Sequence, residues 1–487
     1  MSTQSLFVST TIPYVNAHPH VGFAIELAQA DAFVRFRRLQ GDRVVFQSGT
    51  DENSLKNVLA ARARNVPIQE HVNGNAELFY TLASQLGLCL DQFVRTSSPR
   101  HHSIVQEFWK LLRPEDIYTK KYCGHYCIGC EDFLRENELD SAGLCRDHRS
   151  RPDWIEETNY FFRLSSYQAP IRNLIASDRL RISPAFRKKE VLNFIDAGLD
   201  DISITRDRTR SGGWGIPVPD CNEQVVYVWI DALINYLSGF SAPNEWNRFD
   251  RRIHFIGKNV WKFHAVYWPA LLLSAGFTPP DEIIIHGFLT LDGQKISKSA
   301  GNGKDPAQLI QTYGSDSLRF YLLRSFSPFD DGDFSERDLI NTHNAFLVNG
   351  LGNLLSRLNA LVVRLDSALK ESAVQSRSLS PDLTTAWESL RFDEGLKVIW
   401  RKIDEINTQI ATERPWKTTA ASSSRYRERI TLLITQWLDE VGQIAYWLDP
   451  FLPSTSASIF RQLVAINTKQ AHLFQKLPPC GGQKQRS

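Results

Sequence analysis

Two segments of this chain carry residue types that can grip a nucleotide. Lys295-Ile-Ser-Lys-Ser299 follows the turn Asp292-Gly293 and sets two ammonium groups, flanked by serines, on one cationic loop. Far upstream, His20-Val21-Gly22 follows the apolar run Leu6-Phe7-Val8. A strand-to-helix turn bearing an imidazole and a glycine makes a phosphate cradle, because the first backbone N–H groups of a helix lack intrahelical partners and favour anions. Either motif alone is weak. In this order and at this separation they imply adenylate chemistry, with His20, Lys295 and Lys298 as the catalytic donors. A third cluster points to a metal. Cys127-x2-Cys130, fourteen residues, then Cys145-x2-His148 has the spacing of two knuckles closing one zinc tetrahedron. Four protein ligands leave no open position, so the ion is expected to be structural. Cys123 is near enough to compete as a ligand and is left out of the set.

These groups need elements to hold them. Residues 5–11 alternate into a strand, 22–38 has helical spacing, and Arg43-Val-Val-Phe46 reads as a short buried strand ending at Gly49-Thr50-Asp51. Strand–helix–strand implies a parallel sheet, with ligands at the carboxyl ends of its strands. The pattern resumes from His254-Phe255-Ile256-Gly257 to Ile283-Ile284-Ile285-His286-Gly287. Between about 115 and 225 it breaks: cysteines cluster, turns multiply, and Ser211-Gly-Gly-Trp-Gly-Ile-Pro217 is glycine-rich. After 336 the chain reads as helices over 347–365, 392–410 and 430–448, separated by the serine-rich joints 372–380 and 422–424. The expected architecture is α/β: a Rossmann-like parallel sheet split by a zinc-bearing insertion, then an all-α bundle. The expected boundaries are 1–114 for the first half of the sheet domain and 115–225 for the insertion, with its knuckle at about 122–150. The second half and lysine loop take 226–335, the bundle 336–470, and a tail 471–487, whose end Pro478-Pro-Cys-Gly-Gly482 looks frayed.

Bulk properties narrow the class. A chain of 487 residues is too long for one core. With 42% hydrophobic and 23% charged residues it is not a disordered chain. The net charge of +2 gives no global argument for nucleic acid, so any RNA contact must come from local patches. No run reads as long and apolar enough to cross a bilayer, and the N-terminus lacks a basic region and cleavage site, so a cytoplasmic location is expected. Seven cysteines fit reduced thiols plus one metal site.

With these motifs assembled, the chain resembles the class I aminoacyl-tRNA synthetases, and among them the methionyl-tRNA synthetases with a single zinc knuckle. The resemblance covers about residues 5 to 465. It rests on Ile12-Pro-Tyr-Val-Asn16, Gly49-Thr-Asp-Glu52, Asn159-Tyr-Phe-Phe162, Trp214-Gly-Ile-Pro217, Tyr227-Val-Trp-Ile-Asp-Ala232, Phe263-His264 with Trp268-Pro269, Tyr313-Gly-Ser-Asp-Ser-Leu-Arg319, Leu351-Gly-Asn-Leu-Leu-Ser-Arg357 and Arg414-Pro-Trp416, all in the family's order. It implies a methionine–tRNA ligase that uses ATP with Mg²⁺ on its phosphates, one structural Zn²⁺, and methionine and tRNA(Met) as partners, acting as a monomer. The implied methionine pocket is Ile12, Tyr14, Glu26, Asp51, Trp229, Leu233, Tyr236, Val260, His264 and Trp268. Asp51 takes the substrate ammonium, and aromatic walls suit a polarizable thioether. Implied ATP contacts are His18, Gly22, Gly257, Asn259, Lys295, Ser297 and Lys298. The helical domain implies anticodon contacts from Asn353, Arg357 and Trp416, where an arginine and an indole can stack on unpaired bases.

Three positions depart from the family's pattern. Phe23 stands where a second histidine is usual, and a phenyl ring donates no hydrogen bond to phosphate. His18 is the candidate substitute donor. Asn259 replaces an aspartate that faces ribose, and Ile296 replaces a methionine in the lysine loop. Met1 is the only methionine. Its scarcity reflects either conservative drift or a chain whose elongation draws on no charged elongator methionyl-tRNA. Two other functions compete: a divergent copy that adenylates another apolar amino acid or loads a non-tRNA acceptor, and a non-catalytic tRNA-binding relic. Retained His20, Asp51, Lys295 and Lys298 argue against the relic; Asn353, Arg357 and Trp416 argue for tRNA.

Overall fold

The computed structural model describes residues 3–134, 136–146, 149–296, 303–365, 377–419, 422–464 and 472–479. They form two compact units: Met1–Pro19, Gly41–Leu82 and Leu90–His286 make the first, and His20–Gln40, Ala83–Cys89 and Gly287–Ser487 the second.

In the first unit, β1 (Ser5–Ser9), β2 (Arg43–Thr50), β3 (Gln92–Arg95), β7 (Arg181–Ser183), β12 (Arg251–Gly257) and β13 (Glu282–His286) form a six-stranded parallel sheet of order β3-β2-β1-β12-β13-β7. Leu6, Phe7 and Val8 are completely buried, as a strand covered on both faces requires. The strand order reverses at β1, which pairs β2 on one edge and β12 (Arg251–Gly257) on the other. A crevice opens at the carboxyl ends of such a pair.

The intervening segment builds mainly antiparallel structure. β4 (Ile117–Cys127), β5 (Asp132–Leu134), β6 (Asp153–Phe162) and β8 (Ile202–Ser203) form a sheet of order β5-β4-β6-β8. β9 (Thr205–Asp207), β10 (Pro217–Val218) and β11 (Cys221–Val226) form another, of order β10-β11-β9. The segment is not wholly an insertion. Its β7 (Arg181–Ser183) pairs in parallel with β13 (Glu282–His286) and closes the edge of the central sheet. Three residues with one apolar side chain left no readable strand pattern.

In the second unit, α1 (Val21–Leu39) buries Ala24, Leu27, Ala28, Asp31 and Val34. Asp31 is held by Arg319, both side chains fully buried, at 2.8 Å. Arg319 also donates to the carbonyls of Phe451 at 2.8 Å, Pro450 at 3.0 Å and Leu86 at 3.3 Å. A small sheet follows, with β14 (Leu289–Leu291) between β15 (Gln294–Lys295) and β16 (Gly332–Asp333).

The helices run further than the sequence pattern suggested: Glu336–Thr342 continues through a π-helical turn into Asn353–Leu365, and Phe392–Glu413 and Ser424–Leu448 outrun the expected limits. In Phe392–Glu413 the buried Leu396, Ile399, Ile403, Ile406 and Ile410 recur every three or four residues, one stripe facing the bundle core. Helices Pro381–Glu388 and Pro453–Val464 were not expected. The serine joints act as caps: Ser380 Oγ accepts from Leu383 N, and Ser423 Oγ from Tyr426 N.

One expectation needs correcting. The helical stretch Glu336–Arg364 is long and apolar enough by length and composition to cross a bilayer, an 18-residue window within it reaching a mean hydropathy of 1.3. Its Leu339, Leu347, Leu351, Leu354 and Leu358 are completely buried within the protein. Ahead of the end at 478–482, of which 480–482 lie outside the described residues, the tail is anchored. Asn344 exchanges two 2.9 Å hydrogen bonds with the Leu477 backbone, and His343 Nε2 donates to the Gln475 carbonyl at 2.9 Å.

Candidate active site and metal centre

The first unit gathers the aromatic residues expected to line an amino-acid pocket. Beyond β2 the chain pairs Asp51 with Tyr14, and Asp51 N–H donates to the Pro13 carbonyl at 2.9 Å. Asp51 is 2% exposed, and among the described residues its Oδ1 has no hydrogen-bond partner. Burial, then the negative charges of Asp231 and Glu131, hold this carboxyl well above the usual carboxylate range. An ammonium group would supply the missing donor and relieve that repulsion.

Tyr14 meets the edge of Trp229 at 5.9 Å, and Trp229 stacks on Phe263 at 4.0 Å. Phe263–Tyr267 is a π-helical turn, which bulges the helix and carries His264. His264 Nδ1 donates to the Val260 carbonyl at 2.9 Å, so Nε2 accepts from the Tyr236 hydroxyl at 2.7 Å. Leu233, Tyr236, Val260 and Trp268 are buried in the same core, and Trp268 Nε1 has no partner among the described residues. Ile12 is half-buried beside this segment in sequence, whereas Glu26 is a buried residue of α1 in the second unit.

Sequence reasoning missed the polar layer of this unit. Asp231, fully buried, accepts from His101 Nε2 at 3.0 Å and from Asn53 Nδ2 at 3.0 Å. His101 Nδ1 in turn faces Ser238 Oγ at 2.8 Å. Asp231 lies inside a quoted motif, but nothing in local spacing joins it to residues 53 and 101. His254 is the other omission. It bonds Ser9 Oγ at 2.7 Å, packs at a tilt of 37° on Tyr236 with ring centres 4.2 Å apart, and burial keeps its pKa well below the usual imidazole range.

Of the residues expected near ATP, Gly257 ends β12 and closes a turn by accepting from Val260 N at 3.2 Å; Asn259 and His18 are exposed. In the second unit His20 precedes α1. A Cβ on Gly22 would stand 3.0 Å from His20 Nδ1, so this glycine leaves room for the imidazole itself. A Cβ on Gly303 would stand 3.0 Å from His20 Cβ and 3.7 Å from Ile296. Ile296 and Gly303, which bracket the second lysine of the loop, therefore converge on His20. Ser297 and Lys298 lie outside the described residues; Lys295 is described only as backbone, paired with Thr290 in β15. The helix start is less open than expected: Val21 N–H donates to the Lys304 carbonyl at 3.0 Å and Phe23 N–H to the His20 carbonyl at 2.9 Å.

The sulfur atoms of Cys127, Cys130 and Cys145 lie within 4.8 Å of one another, and Cys130 N–H donates to Cys127 Sγ at 3.4 Å. Burial and the neighbouring thiols raise the Cys130 pKa, a penalty that a bound dication reverses. Three convergent thiols with this spacing fit zinc. His148, the expected fourth ligand, lies outside the described residues. Cys123 is exposed on β4 beside Glu156, apart from the cluster. All six described cysteines are free thiols.

In the helical bundle, Arg357 donates to Asn407 Oδ1 at 3.1 Å and its guanidinium lies 5.9 Å from the Trp416 ring centroid. Arg414, in the left-handed region at φ 49°, ends its helix and turns the chain so that Trp416 is 40% exposed. Asn353 is exposed on its helix.

A parallel sheet reversing at β1, a His20 turn flanked by the ends of a lysine loop, a cysteine module between the sheet halves and a helical bundle after them define a class I aminoacyl-tRNA synthetase. Residues 6–157 and 143–359 match the family model of the tRNA synthetases class I (M). The chain is 37% identical over 485 residues to a methionine–tRNA ligase of Synechocystis sp., covering 95% of this chain and 90% of that one. It is 36% identical to a methionine–tRNA ligase of Thermotoga maritima, covering 94% and 75%. Among solved structures it is similar to Mycobacterium tuberculosis methionyl-tRNA synthetase in complex with methionyl-adenylate, with a TM-score of 0.85, 34% identity, and 94% and 93% of the two chains covered. The chain belongs to the methionyl-tRNA synthetase family.

Proposed function

We propose that this chain activates methionine with ATP and transfers the methionyl group to tRNA(Met). The observation that carries the amino-acid half is the buried Asp51 carboxylate, short of a donor on one oxygen and in the same unit as the Tyr14–Trp229 and Tyr236–His264 walls. An α-ammonium group satisfies that oxygen. The thioether then lies against ring edges, which it does more favourably than an isosteric alkyl chain. The Tyr236 hydroxyl and His264 use their polar atoms on each other, which keeps the wall uncharged toward an apolar side chain.

The substrate carboxylate is already ionised at neutral pH, so the first step needs no general base. Its oxygen attacks the α-phosphorus in line, the bond to the bridging β-phosphate oxygen breaks, and pyrophosphate leaves with that electron pair. Catalysis is then positioning plus stabilisation of phosphate charge. His20, Lys295 and Lys298 are assigned to that charge, with Mg²⁺ on the phosphates, and Gly257 and Asn259 to the nucleoside. A terminal ribose hydroxyl of tRNA next attacks the adenylate carbonyl, and AMP leaves. Asn353, Arg357 and Trp416 are assigned to the anticodon: the exposed indole offers a stacking face, and Asn407 holds the guanidinium beside it. Cys127, Cys130, Cys145 and His148 would hold a zinc ion that stabilises the module.

Methionine-dependent ATP–pyrophosphate exchange tests the first half, and charging of purified tRNA(Met) the second. Exchange with methionine and charging of that tRNA are the expected results. Exchange without charging would instead support a non-tRNA acceptor, and absence of both would leave a tRNA-binding relic.

A further inference from the structure

The residue that follows the second cysteine of the knuckle is buried, charged and backbone-strained. Glu131 is 2% exposed and sits at φ +54°, in a region that non-glycine residues rarely occupy. Its carboxylate accepts from Ser54 Oγ with both oxygens at 2.9 Å and from Leu55 N–H at 2.7 Å. Those donors open α2 (Leu55–Ala63), four residues after Asp51. Ser54 already caps this helix, its Oγ accepting from Lys56 N–H at 3.0 Å. The Glu131 charge also acts on the Tyr14 hydroxyl, after burial the largest influence raising its pKa. The preceding residue reaches the facing wall: the Cys130 carbonyl accepts from Trp229 Nε1 at 3.3 Å. Two adjacent residues of the knuckle thus contact the Trp229 wall, which meets Tyr14 edge to face, and the chain just after Asp51.

We propose that Glu131 is a positioning residue for the amino-acid pocket, the link through which the cysteine knuckle sets the separation of the Tyr14 and Trp229 walls and the placement of Asp51. The proposal rests on reading that pocket as the methionine site. A helix cap alone needs neither the strained backbone nor the second contact surface, because Ser54 is in place. The carboxylate is the better acceptor here than an amide: two oxygens receive Ser54 and Leu55 together, and negative charge suits a helix start.

The experiment uses the full chain and compares Glu131→Gln and Glu131→Ala with wild type. Methionine affinity is read without ATP by tryptophan fluorescence titration, ATP KM by pyrophosphate exchange, zinc content by atomic absorption, and stability by thermal unfolding. Glu131→Ala is expected to weaken methionine binding about tenfold or more, the scale of a lost hydrogen bond to a charged group. Its ATP KM should stay within about twofold and its zinc content should equal that of wild type. Glu131→Gln, which keeps one acceptor oxygen, should fall between the two. Should Glu131→Ala fold poorly, the isosteric Glu131→Gln decides the question through the same ratio of methionine to ATP effects. Unchanged methionine affinity in a folded variant, with or without a lower unfolding temperature, would reduce Glu131 to a helix cap and overturn the proposal. Equal losses for methionine and ATP would overturn it as well. If wild type itself neither binds methionine nor exchanges pyrophosphate, it is the functional reading that fails.

Discussion

At the scale of single residues, Asp51 and Phe23 make opposite claims on activity. Asp51 is a buried acid whose free oxygen waits for a donor. Replacing it by Asn removes the charge and keeps the volume. Asp51→Asn is expected to raise the methionine KM of pyrophosphate exchange by about 10–100-fold, the worth of a charge-assisted hydrogen bond; an unchanged KM would remove Asp51 from the ammonium site. Phe23, half-buried two residues beyond the start of its helix segment, carries a ring without a donor. Phe23→His should raise the exchange kcat by about tenfold or more, part of the roughly 2.7–4 kcal/mol that one oxyanion-type donor contributes. A slower or unchanged variant would show that this position no longer faces the phosphates. Residues of these kinds were legible because motif order names them. Glu131, His101 and Asn53 were not, because their partners lie 77, 130 and 178 positions away.

At the scale of elements, the central sheet and the long helices followed from pattern, and their joints did not. Leu6-Phe7-Val8 and the Leu396–Ile410 stripe announce themselves by continuous burial or helical period. β7 is too short to show alternation, and the tail at 472–479 is held mainly by backbone hydrogen bonds to Asn344 and His343, which no side-chain pattern encodes. The first unit also has an acid limit written into one strand. His254 of β12 is kept neutral by burial, with the Arg252 charge nearby and any proton taken up by His264 adding repulsion. Its folded pKa lies below its unfolded value near 6.5, so the unfolded chain binds the extra proton first. The stability it secures is present above about pH 6.5 and is lost as pH falls from there toward the depressed folded pKa. Thermal unfolding between pH 7.5 and 5.5 should show a falling midpoint, less steep in His254→Gln. Equal slopes for the two proteins would contradict this reading. His71, His102 and His343, also depressed chiefly by burial, push in the same direction, and Asp51, held above the usual carboxylate range, pushes the other way, so it is the difference between the two slopes that reads His254.

At the scale of the whole molecule, activation and charging should separate. Trp416→Ala is expected to raise the KM for tRNA(Met) by about tenfold, as loss of base stacking worth roughly 1–3 kcal/mol implies. Pyrophosphate exchange should be unaffected; equal effects on both would point to a structural role for the indole. Stability of the second unit is predicted to depend on Arg319. Burial opposes the charge of Asp31, and Arg319 and Arg35 overcome it, holding that carboxyl below the usual range. Replacing Arg319 by Leu leaves the buried Asp31 with only Arg35 and the Cys89 N–H and strands three carbonyls, and should cost about 3–5 kcal/mol in urea unfolding. Adding Asp31→Asn should recover part of the loss; no recovery would mean that the carbonyl contacts, not the ion pair, dominate. Motif order marked Arg319 as a family position, but its role as a clamp became visible only in three dimensions.

That clamp bears on how the protein is made. Asp31 leaves the ribosome nearly three hundred residues before Arg319, and the carbonyls of Pro450 and Phe451 emerge later still. Throughout that interval Asp31 has only Arg35 of its own helix as a counter-ion and lacks the fully buried guanidinium that completes the site. The amino-terminal helix is therefore expected to be among the last parts of a nascent chain to lock, and to resist protease only once synthesis has passed residue 451.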